Sequence, residues 1–108
     1  MSEDSTPASN PIVVLSTDLM DRSKISAALP DAKFVRSTDK VVEMATQDTL
    51  VIVDLGRLDD PSILATIDAR VIAFGSHVNE EQLAAAAATG AEALPRSLFF
   101  RRLETGSL

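Results

Sequence analysis

The stretch from Thr49 to Gly56, TLVIVDLG, constrains the fold more than any other part of the chain. It is apolar at both odd and even positions, whereas a half-buried strand would alternate. Such a segment is buried on both faces, as the central strand of a parallel sheet is. A single acid, Asp54, stands where the strand leaves the core. In open α/β sheets the carboxyl ends of the strands are where ligands and chemistry are found. The segment therefore predicts a fold and marks the place to look for a site.

The rest of the chain alternates in step with it. Ile12 to Leu15, IVVL, reads as a first buried strand. Asp18 to Leu29 reads as a helix, with Ile25, Ala28 and Leu29 on its apolar side and Pro30 past its end. Ala32 to Arg36 is a short second strand. Thr38 is placed to cap a helix running to about Thr46, with Val41, Val42 and Ala45 inward. After the TLVIVD strand, Asp60-Pro61 starts a helix carrying Ile63, Leu64 and Ile67, an acid at the cap and proline at the first helical position. Arg70 to Phe74 is a fourth strand. Asn79 caps a helix with Glu80 and Glu81 in its first turn, continuing through an alanine run to Gly90. Glu92 to Pro95 is the last strand, and Ser97 is placed to cap a terminal helix to about Glu104. Parallel neighbours need a crossover, so this alternation predicts a doubly wound α/β sheet. One domain is expected over residues 11–104, between a polar, disordered arm (1–10) and a frayed tail (105–108).

Composition narrows the function. The hydrophobic share of 45% supports a core of Val, Ile, Leu and Ala with four Phe and no Trp or Tyr. A net charge of −6 argues against nucleic acid and against an anionic membrane surface as partners. The absence of cysteine excludes disulfides, thiolate metal sites and cysteine nucleophiles, and fits a cytoplasmic protein. No apolar run approaches the roughly 20 residues of a membrane span. The acidic, polar N-terminus is unlike a signal peptide. Four glycines form no GxGxxG loop, and a single histidine limits acid–base chemistry, so no cofactor is expected.

Taken together, IVVL, TLVIVDLG, VIAFGSHVNEEQLAAAAATGA and LPRS stand in the register of the receiver domain of bacterial response regulators, which the chain resembles over roughly Ile12 to Leu103. The resemblance implies a flavodoxin-like, receiver-like three-layer α/β/α sandwich with a five-stranded parallel sheet in the order 2-1-3-4-5. It implies signal transduction in a two-component system, with Asp54 as phospho-acceptor. Phosphoryl transfer needs positioned groups to neutralise charge, and magnesium does this through clustered oxygen ligands. By the resemblance, Ser76 and Arg96 would contact the phosphoryl, and Asp18 with Asp54 would hold the metal. The chain departs from the pattern at several of these points. The acidic pair after the first strand is Ser16-Thr17, the Ser/Thr after the fourth strand is Gly75, the lysine is Arg96, and the last-strand aromatic is Ala93. Arginine is forked and bulkier than lysine and does not simply replace it.

The chain therefore reads as a degenerate, or pseudo-receiver, variant: not an enzyme, but a stand-alone module that binds a protein partner without depending on aspartyl phosphorylation. An active phospho-receiver with an atypical Mg2+ site is the alternative. A small flavodoxin-like ligand binder or enzyme subunit is a second. Plainer roles are also open: Asp54 capping its own turn, Asp18 capping a helix, Ser76 and His77 in a solvated loop. Ser16, Thr17 and Asp18, with Ser23 and Lys24, would line either a small anion pocket or an ordinary polar loop. Arg96, Arg101 and Arg102 with Phe99 and Phe100 form the most unusual surface. One of the two adjacent rings is expected inward and the other exposed beside the arginines. Aromatic residues and Arg mark interfaces, so this is the expected partner surface. The resemblance adds a homodimer through the last strand and last two helices.

Overall fold

The structure, a computed structural model, describes residues 11–108; the arm expected over 1–10 lies outside the described residues. Five strands, β1 (Ile12–Leu15), β2 (Lys33–Val35), β3 (Leu50–Asp54), β4 (Arg70–Gly75) and β5 (Glu92–Pro95), form one all-parallel sheet in the order β2-β1-β3-β4-β5. Four α-helices pack on it: the crossovers α1 (Leu19–Ala28), α2 (Thr38–Met44) and α3 (Glu80–Ala87), and the terminal α4 (Arg96–Thr105). This is a flavodoxin-like α/β arrangement, as the alternation and the resemblance imply.

The sheet separates two cores, and strand alternation assigns residues to each. Val13, Leu15, Val51, Val53, Val71 and Ala73 point to the side covered by α2 and α3. Val14, Ile52, Ile72 and Phe74 point to the side covered by α1 and α4, where Ile25, Phe99, Phe100 and Leu103 meet them. Val51, Ile52 and Val53 have no solvent exposure, so β3 is buried on both faces.

Helix starts follow cap chemistry. Asp18, Ser37 and Asn79 each accept a backbone N–H of the first turn, which satisfies one of the donors a helix start leaves free. Ser37, not Thr38, caps α2. Ser97 does not cap α4: that helix follows directly from Pro95 with no side-chain cap, because β5 runs into it without a loop.

Several inward faces differ from the sequence reading. In α1 the inward stripe runs at four-residue intervals through Asp21, Ile25 and the half-buried Leu29, leaving Ala28 exposed. In α2, Val41 is inward with Met44 and Ala45 beside it, and Val42 is exposed. The crossover expected as an α-helix after Asp60-Pro61 is a 3₁₀ helix, Pro61–Thr66. A 3₁₀ segment rises about 2.0 Å per residue against about 1.5 Å, so six residues cover more of the way back along β3. Its three-residue period also turns both Leu64 and Ile67 into the core.

Phe99 and Phe100 are both buried, which corrects the expectation that one ring is exposed. The reason is that α4 lies in the crevice between the sheet and α1. Phe99 stacks on Phe74 with ring centroids 4.4 Å apart, and Phe100 meets both rings edge-on at 5.5 and 4.9 Å. Lys24 of α1 lies over the outer side of Phe100, 5.1 Å from its centroid. Residues 105–108, expected as frayed, close α4: Gly106 adopts a left-handed φ of 71° and the Ser107 N–H donates to the Arg102 carbonyl at 2.8 Å. Leu108 packs against the aromatic core.

Replacing Phe100 with alanine is expected to cost about 3–5 kcal/mol, the scale for a buried aromatic. An exposed ring would cost within about 0.5 kcal/mol. Urea unfolding of the variant separates the two.

Candidate functional site

The site is built at the carboxyl ends of the three central strands. The β1–β3 register pairs Leu15 with Val53, so one further step sets Ser16 beside Asp54; the β3–β4 register pairs Asp54 with Phe74. Alternation carries Ser16, Asp54 and Phe74 to the face covered by α1 and α4. Two charged residues arrive there from the helices. Asp21 comes from the first turn of α1 and Arg96 from the first residue of α4, and the two form an ion pair.

Arg96, the phosphoryl-contact candidate of the sequence, is thus paired with an acid of α1. Its guanidinium is engaged by Asp21, whose side chain is only 2% exposed, and it lies 5.6 and 5.2 Å from the centroids of Phe74 and Phe100. Asp21 could have been found from its spacing, four residues before Ile25 on the inward stripe, but an acid at an apolar position was not read as buried. One of its oxygens, Oδ2, and the hydroxyl of Ser16 are buried without a hydrogen-bond partner.

Asp54 ends β3 and caps the short 3₁₀ turn Leu55–Arg57 by accepting the Gly56 N–H at 2.9 Å. A β-carbon at Gly56 would stand 3.2 Å from the same carboxylate oxygen, so the close turn needs glycine. Burial pushes the Asp54 carboxyl above its usual value; the Gly56 N–H opposes this, the charge of Asp21 adds to it, and Arg96 and Arg57 pull against it.

The other predicted residues do not join this group. Asp18 is exposed and spends its carboxylate on the Asp21 N–H, 3.0 Å away, as the cap of α1. The acid whose charge Asp54 feels is Asp21. Among the described residues no three His, Cys, Asp or Glu side chains come together to hold a metal ion. Ser76 is exposed and its hydroxyl accepts the Val78 N–H at 3.3 Å, within a turn of the loop that also carries exposed His77. Ser23 and Lys24 are exposed on α1.

Behind Asp54, Gly75 packs so closely that a β-carbon would stand 3.3 Å from Leu55. The Gln82 amide of α3 donates to the Leu55 carbonyl at 2.8 Å. Gln82 was not foreseen, because a polar residue on an exposed-looking helix gives no signal of a bond to a loop carbonyl. The arginines at the C-terminal end divide. Arg102 binds Glu92 at 2.7 Å, Arg70 approaches the same carboxylate at 3.5 Å, and Arg101 is exposed. A groove of 490 Å³ lies at the opposite, amino end of the strands, lined in part by Ile12, Leu29, Thr49 and Arg70. No described helix is long and apolar enough to cross a membrane. Comparisons with protein-family models, curated proteins and solved structures find no match for the chain.

Two outcomes follow from the ion pair and the raised carboxyl. Arg96→Met leaves Asp21 buried and unpaired and is expected to cost about 3–5 kcal/mol; the double variant Asp21→Leu/Arg96→Met recovers most of that loss in urea unfolding. Asp54 is more readily protonated in the folded chain than in the unfolded one. Between its ordinary value of 3.8 and its raised folded value, stability therefore falls as pH rises. Asp54→Asn is expected to exceed the natural chain in stability above that window and to lose the advantage below pH 3.8, in melts taken across the acid range.

Proposed function

We propose that the chain is a receiver-like protein-interaction module that works without aspartyl phosphorylation. The engagement of Arg96 by buried Asp21 carries this reading. A phosphoryl group on Asp54 would add negative charge at a half-buried position that already feels the charge of Asp21. Neutralising it would mean drawing Arg96 away from Asp21, which leaves a buried charge alone at a cost of about 3–5 kcal/mol. No third acid among the described residues supports a magnesium ion in its place. The net charge of −6 adds a general field against further anions. The same charge argues against nucleic acid as the main partner, and another protein is the partner class this reading implies.

Incubation with Mg2+ and a small phosphodonor such as acetyl phosphate is expected to leave the intact mass unchanged. A phosphoryl adduct that disappears in Asp54→Asn would instead establish the active phospho-receiver.

A further inference from the structure

The 490 Å³ groove lies at the end of the sheet opposite Asp54, and strand register builds its floor. Ile12 pairs with Leu50 and Leu50 with Arg70, so these three stand in one row on the face covered by α1 and α4. Leu29 and Pro30 border the groove where α1 ends. Asp31 and Asp48 border it from the loops before β2 and β3, and both are exposed. The volume is within the range of open sites that take a small molecule or a side chain with its neighbours.

The charge of this end is negative. Asp31, Asp48 and Arg70 are the charged residues of the lining. Arg70 approaches Glu92 at 3.5 Å, and Glu92 is held by Arg102 at 2.7 Å. Three acids against two arginines leave one negative charge. A second groove, between α1 and α4, meets the first at Ala28 and adds Lys24 and Glu104, which cancel. Asp68 before β4 and Arg101 on α4 cancel likewise. Lys33 pairs with Val13 and so belongs to the other face of the sheet. The ten residues before Pro11 carry Glu3 and Asp4 and no basic side chain. The end of α1 has the same sign: a helix C-terminus is the negative end of its dipole, and no basic residue stands in the last turn. Pro30 has no N–H to give the Ser26 carbonyl, which lacks its usual helical donor.

These features select a cation with an apolar body. Anions have the wrong sign. A metal ion would need more ligands, since among the described residues no three acids or histidines come together. An ammonium is compact and strongly hydrated, and gains little from an apolar floor. A guanidinium is flat and weakly hydrated, has five donors for acceptors on several sides, and in arginine is carried on an apolar stem.

We infer that the groove at the amino end of the sheet is a docking site for an arginine of a protein partner, its stem on Ile12, Leu29 and Leu50 and its guanidinium toward Asp31 and Asp48. The inference rests on the interaction-module reading and gives that module a surface remote from Asp54.

The test is an NMR titration of the full chain with three probes: an N-acetylated Leu-Arg-Leu peptide amide, the same peptide with citrulline in place of arginine, and ethylguanidinium alone. The arginine peptide is expected to shift the amides of Leu29, Asp31 and Thr49 at millimolar concentration and to leave Asp54 unmoved. Citrulline keeps the shape without the charge, and its peptide binds about tenfold more weakly. The double variant Asp31→Asn/Asp48→Asn, at two exposed positions, lowers binding of the arginine peptide by a similar factor. Equal binding of the two peptides, no shift at the groove amides, or ethylguanidinium binding as tightly as the peptide would each overturn the inference, the last by marking a small-molecule site. Failure here with no phosphoryl adduct leaves the interaction module standing, whereas a phosphoryl adduct on Asp54 removes that reading itself.

Discussion

The closed burial of β3 sets the terms for everything around it. A strand with no exposed residue from Val51 to Val53 needs cover on both faces, and parallel neighbours supply that cover through their crossovers. β1 and β4 must therefore lie on either side of it, with helices in two layers. The same burial fixes where polarity can begin. Asp54 is the first residue past the closed run able to meet solvent, and it does so at the end where β1 and β4 also open out. The two faces are filled differently. One is aliphatic; the other carries Phe74, Phe99 and Phe100 as a stacked group, and that aromatic face holds α4 against α1.

The electrostatics of α4 depend on that aromatic face. A positive residue at a helix start is unfavourable to the helix dipole, and α4 has no side-chain cap to compensate. Arg96 is tolerated there because Asp21 neutralises it and two aromatic faces lie under its guanidinium. Asp21 in turn is well placed in the first turn of α1, where the dipole favours an acid. The pair links residues 75 positions apart in sequence and ties the first turns of α1 and α4 together above the core.

The fold was legible because its signals are local and redundant. Two-sided burial shows as a continuous apolar run in TLVIVD, and the caps at Asp18, Asp60 and Asn79 are short-range chemistry. Of the site, Asp54, Ser16 and Arg96 were legible, each at or just past the end of a strand. Asp21 escaped because its burial depends on a partner far along the chain, and helix periodicity records apolar residues only. Phe100 was misread for a related reason: a helix seated between a sheet and another helix buries more than one stripe. The 3₁₀ crossover was hidden because Asp-Pro starts both helix types alike, and the distance to be spanned decides between them.

Under the receiver-like reading, the departures from the family pattern form one consistent set. Serine at position 16, where an acid is expected, removes a third negative charge from beside Asp21 and Asp54. Arginine at position 96 has the reach and the fork to hold a carboxylate on α1, and its flat face sits on the rings below. Glycine at position 75 lets Leu55 close against β4, which brings its carbonyl to Gln82 of α3. Each change alone would weaken a phosphorylation site. Under that reading, fixed internal contacts on both sides of the strand end stand where a phosphorylation site would need groups free to meet a phosphoryl. Asp54, Ser16 and one oxygen of Asp21 are left as the polar groups those contacts do not use.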